Sequence, residues 1–84
     1  MNSIKQIAKD KGISKRELSD KSGVNYWAID EYYRETVDVN NITMENLVRL
    51  CLTLDCKVSD IIDDQKRIKE LKKLLTLTNV RKLF

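Results

Sequence analysis

The chain has no histidine and no proline, and only two glycines, Gly12 and Gly23, among 84 residues. Without histidine, the side chain best suited to acid–base work near neutral pH is missing, and so is the commonest metal ligand. Cys51 and Cys56 stand five positions apart. Zinc sites usually take four ligands, with gaps of about two to four residues inside each pair, so these two read as small apolar residues in and just after a helix, kept reduced. There is no glycine-rich phosphate loop and no paired acid–base constellation, so the chain is not read as an enzyme and no cofactor or metal is expected. No apolar run approaches the roughly 20 residues that span a bilayer, and no signal-peptide core is present, so no membrane association is expected and the expected compartment is the cytoplasm. With so few helix breakers and 35% charged residues, the composition favours a compact all-α domain over a sheet protein or a disordered one.

What is present is unevenly distributed. Residues 1–64 carry nine Lys or Arg against twelve Asp or Glu, a net −3, whereas residues 65–84 carry seven against one, a net +6. A basic face is the usual electrostatic footprint of a nucleic-acid binder, and here it lies in the tail. One domain this short buries a modest fraction of its surface, which makes a dimer interface a natural way to enlarge the core.

Helical periodicity and capping residues divide the chain. A first helix is expected from about Ser3 to Lys11, with Ile4, Ile7 and Ala8 on one face and Gly12 as its stop. Ser14 followed by Glu17 has the capping-box pattern and opens a second helix to about Lys21, which buries Leu18 and ends at Gly23. Asn25 caps a third helix to about Glu35. Residues 36–42, TVDVNNI, show no period and read as a loop. Thr43 opens a fourth helix carrying Met44, Leu47, Leu50, Cys51 and Leu54; a short fifth is expected over Ser59 to about Asp63, and an amphipathic sixth from about Asp64 to Leu75.

A helix, a turn containing Gly23 and a second short helix make a helix-turn-helix signature. The fuller pattern sets Gly12, Leu18, Gly23, Val24, Ile29, Leu47, Leu50, Leu54, Val58, Ile61 and Ile62 at characteristic core spacings. Over about residues 3–63 the chain thereby resembles the Cro/repressor-like (XRE) helix-turn-helix family. The resemblance implies an all-α, five-helix, lambda-repressor-like domain over residues 1–63, here followed by an additional C-terminal amphipathic helix and basic tail over residues 64–84. It further implies a regulator of transcription, a phage or bacterial repressor for example, whose third helix lies in the major groove of double-stranded DNA, with two copies on paired half-sites. By matching position, Tyr26, Trp27, Asp30 and Glu31 would face base edges with Arg34 near the helix end. Lys15 and Arg16 would meet phosphate, and Asn40 and Asn41 would approach the backbone.

The third helix is unusual in composition. Family members commonly carry Gln, Ser, Thr or Arg where this chain has Tyr26 and Trp27, and residues 24–47 hold five acids against the single base Arg34, a net −4. A carboxylate accepts a hydrogen bond from cytosine N4, so acids are compatible with base readout; they are equally compatible with a solvated helix face. Trp27 and Tyr26 are expected to point away from the core. An exposed Trp/Tyr pair is also the composition of a protein–protein hot spot. The alternative reading is therefore a protein-binding helix-turn-helix module, an antagonist of another regulator or an anti-CRISPR-like inhibitor, meeting a basic protein through the Trp27 face. In the sixth helix Ile68, Leu71 and Leu75 suit a seam between two copies, which makes this helix the expected dimerisation element; the other reading is an extra helix sealing the monomer's core.

Overall fold

The computed structural model describes residues 3–75 and 83–84, and the part of the basic tail at residues 76–82 lies outside them. The described residues form six α-helices and no strand: α1 Ser3–Asp10, α2 Lys15–Ser22, α3 Tyr26–Arg34, α4 Met44–Leu54, α5 Val58–Ile61 and α6 Gln65–Leu75. The core is continuous, running from Ile4 and Ala8 of α1 through Leu18, Ile29 and the fully buried Leu47, Leu50, Cys51 and Leu54 of α4 to Val58, Ile61 and Leu71. α4 is its central element, packed against both α2 and α5.

The helix ends follow the capping chemistry. Ser14 Oγ accepts from the Glu17 amide at 3.1 Å, and the Glu17 carboxylate pairs with Lys21 at 3.0 Å. Asn25 Oδ1 accepts from the Trp27 amide at 2.8 Å, and Thr43 Oγ1 from the Asn46 amide at 3.2 Å. Gly23 takes the left-handed conformation at φ 75°, where a Cβ would come within 2.8 Å of the Arg49 guanidinium. That guanidinium donates to the Gly23 carbonyl at 3.1 Å, so the turn between α2 and α3 is tied to α4.

Some expected boundaries shift. α3 stops at Arg34 because Glu35 itself adopts the left-handed cap at φ 58°, its amide reaching back to the Glu31 and Tyr32 carbonyls. α5 begins at Val58, one residue earlier than expected, since the Asp60 carboxylate accepts from the Lys57 amide at 2.8 Å and fixes the first turn there. Residues 36–42 are not wholly irregular: Val39–Asn41 form a 3-10 turn started by Asp38, whose carboxylate accepts from the Asn40 amide at 2.9 Å. Three residues are too few to show a period.

The apolar stripe of α6 lies largely covered: Leu71 is buried in the core, Ile68 is half-buried against it, and Leu75 is buried. Leu83 and Phe84 also lie against this core. Among the described residues no helix is long and apolar enough to cross a membrane.

Candidate nucleic-acid interface

Trp27, Glu31 and Arg34 recur at the spacing of one helical face, and all three are exposed along α3. Trp27 is the most prominent, 69% exposed, with Tyr26 meeting it edge to face at 5.7 Å between ring centroids. The underside of α3 is held by Ile29 and Tyr32, both buried. A rigid helix thus presents an aromatic, an acid and a base in a row.

Asp30 is placed differently from expectation. Its side chain is only 10% exposed, and its two oxygens are taken by Lys15 Nζ at 2.6 Å and Arg34 Nε at 3.0 Å. The hydrogen bond from Lys15, and then the nearby Arg34 charge, hold its carboxyl below the usual range. The same bond from Asp30 pushes the Lys15 ammonium above its ordinary value. Lys15 also sits 5.6 Å and 5.7 Å from the ring centres of Tyr26 and Tyr33, and Tyr33 packs partly against the core. The base-facing position assigned to Asp30 is therefore an internal one. It links α2 to α3, and Lys15, expected at phosphate, is its partner. A buried acid needs a paired cation, and α2 supplies it.

Arg16 is exposed, its guanidinium 3.7 Å from Asp20, a loose surface pair of little energetic consequence. Asn41 is exposed in the loop. Asn40 is not aimed outward: its amide donates to the Asp63 carboxylate at 2.9 Å, and its carbonyl oxygen accepts from the Asp63 and Asp64 amides at 3.0 and 3.3 Å. Arg67 of α6 donates to the backbone carbonyls of Asn40 and Ile42. Sequence reasoning counts Arg67 among the basic residues of the tail. Nothing in a Lys/Arg-rich helix marks which cation turns inward.

Between α3 and the following loop lies an open cleft of about 510 Å³, lined by Trp27, Glu31, Val37, Asp38, Asn41 and Thr43. One wall is aromatic and the rim is acidic and amidic, so the surface offers hydrogen-bond acceptors and a stacking or packing plane. Among the described residues, no three His, Cys, Asp or Glu are grouped to hold a metal ion.

Residues 3–67 match the Cro/C1-type HTH DNA-binding domain, and the chain belongs to that family. No curated protein and no solved structure matches it.

Proposed function

We propose that this Cro/C1-type helix-turn-helix domain is a sequence-specific regulator, a repressor acting in the cytoplasm, that lays α3 in the major groove of double-stranded DNA. The observation that carries the reading is the exposed row of Trp27, Glu31 and Arg34 on a helix fixed by the Gly23 turn, in a chain of a DNA-binding family. Glu31 would accept from cytosine N4, Arg34 would donate to guanine, and Trp27 with Tyr26 would pack on thymine methyls or sugars. Arg16 and the exposed lysines of α6 (Lys66, Lys69, Lys72 and Lys73) would meet phosphate, and Asn41 the backbone beside α3. Two copies would sit on paired half-sites. With Ile68, Leu71 and Leu75 largely covered, the exposed Leu74 is the apolar residue of α6 left for such a contact.

Trp27 is the single tryptophan and reports directly on this helix. Titration with the DNA flanking its own gene, and with random duplexes, is expected to give a saturable change in tryptophan emission that is much tighter for the flanking DNA. Trp27→Ala, followed with labelled duplex, should reduce discrimination between the two by roughly tenfold or more while leaving the salt slope unchanged. Equal affinity of both duplexes for the unmodified protein would overturn the reading.

The Asp30 link supplies a second test. Asp30→Asn removes the carboxylate that engages Lys15. The ammonium is then expected to reach phosphate, raising affinity for every duplex about tenfold and steepening the salt dependence by about one contact. Anisotropy titrations at several salt concentrations check both quantities.

A second reading is favoured by the cleft where Trp27 and Val37 meet Glu31 and Asp38. An acidic, aromatic surface of this kind suits a basic protein segment, which would make the chain an antagonist binding where nucleic acid normally sits. In that case Trp27→Ala abolishes capture of the protein partner, and duplex binding stays weak and indifferent to sequence.

A further inference from the structure

Cys51 and Cys56 play no part in the α3 surface, and their placement is specific. Asp55 takes the left-handed conformation at φ 51° and ends α4, and the Cys51 carbonyl accepts amides from both Asp55 and Cys56, the latter at 3.1 Å. This is the helix-ending turn in which the fourth-last helical residue and the second residue beyond the helix bring their side chains together. In most chains that contact is between two apolar groups; here the two positions carry thiols. Their access differs. Cys51 is fully buried, whereas Cys56 is half-exposed, and both line a cleft of about 480 Å³ with Lys57, Asp60 and Leu83.

We propose that Cys51 and Cys56 form a peroxide-oxidisable dithiol site, with Cys56 the attacking and Cys51 the resolving thiol. The Cys56 thiolate attacks hydrogen peroxide: its sulfur forms a bond to one oxygen as the O–O bond breaks, hydroxide leaves and a sulfenic acid forms. The Cys51 thiol, after giving up its proton, attacks that sulfur; the S–O bond breaks, water leaves and the Cys51–Cys56 disulfide forms. Two electrons pass from the thiol pair to the peroxide. Cys51 is fully buried and Cys56 reaches the cleft, which matches the division of roles. The open cleft admits a small oxidant to Cys56, and the helix-ending turn sets Cys51 beside it.

The test uses the folded protein treated with hydrogen peroxide, quenched with catalase, unfolded and alkylated, then weighed intact. The expected result is loss of two hydrogens and of both alkylation sites in a species that remains monomeric without reductant. Cys51→Ala should instead accumulate a Cys56 sulfenic acid that dimedone traps, and Cys56→Ser should leave Cys51 unoxidised under the same treatment. Two alkylatable thiols remaining after peroxide treatment, oxidation beginning at Cys51, or a product dominated by chains cross-linked through Cys56, would each overturn the proposal. The unmodified protein alone decides the first and third outcomes, so the test survives a variant that does not fold.

Discussion

Leu50→Ala is expected to remove about 3 kcal/mol of folding free energy, the range for deleting a fully buried leucine side chain whose cavity the surroundings fill only in part. Leu50 has no exposed surface and sits on α4 with Leu47, Cys51 and Leu54, also fully buried, in the helix that packs against both α2 and α5. A domain of this size has roughly 5–10 kcal/mol in total, so a large share of its stability depends on that one side chain. The thermal midpoint should fall by roughly 12–24 °C, and the urea midpoint should fall with an unchanged slope. Leu52→Ala is the control on the same helix. Leu52 is 48% exposed, and its loss is expected to change stability by no more than about 0.5 kcal/mol. Circular dichroism of the two variants side by side checks this; equal losses would mean that α4 is not the centre of the fold.

The contrast between Leu50 and Leu52 is legible in the amino-acid sequence, because a helix with apolar residues at 3–4 spacing declares which face is buried. Caps are legible for the same reason: Ser14 with Glu17, Asn25 and Thr43 act within three residues of themselves. What escapes is what crosses the chain. Lys15 and Asp30 are 15 positions apart, Arg49 and Gly23 are 26 apart, and Asn40 and Asp63 are 23 apart. A periodic pattern fixes a face but not its partner, so Ile68, Leu71 and Leu75 suit a second copy as well as the domain's own core. The charge count over residues 24–47 fails in a related way. It treats Asp30 as an outward acid, whereas Asp30 is buried against Lys15 and Arg34 and adds little repulsion toward a duplex. The exposure of Trp27, Glu31 and Arg34 is decided by helix geometry alone, and a sequence pattern suffices to find it.

Arg67 is where these long-range ties converge on the proposed function. It lies in the basic C-terminal segment, yet both ends of its guanidinium fork point inward, one to the Asn40 carbonyl and the other to that of Ile42. The Asn40 side chain answers from the other side, bonded to the Asp63 carboxylate and to the Asp63 and Asp64 amides. The segment that carries Asn41 beside α3 is thereby fastened to the start of α6. Arg67→Ala leaves two backbone carbonyls without their charged donor and is expected to cost about 2 kcal/mol of stability. Arg67→Lys should recover only part of that, since a single ammonium does not reproduce a planar fork serving two acceptors. Duplex affinity should also fall, about tenfold, because the loop must now be ordered on binding. The salt dependence separates this from simple loss of charge. Arg67→Ala is expected to weaken binding with the slope unchanged, whereas Arg16→Ala should reduce the slope by about one contact. Anisotropy titrations across a salt series measure both. If Arg67→Ala also reduces the slope by about one, the guanidinium meets phosphate, and the fastening of the loop is not what it contributes to binding.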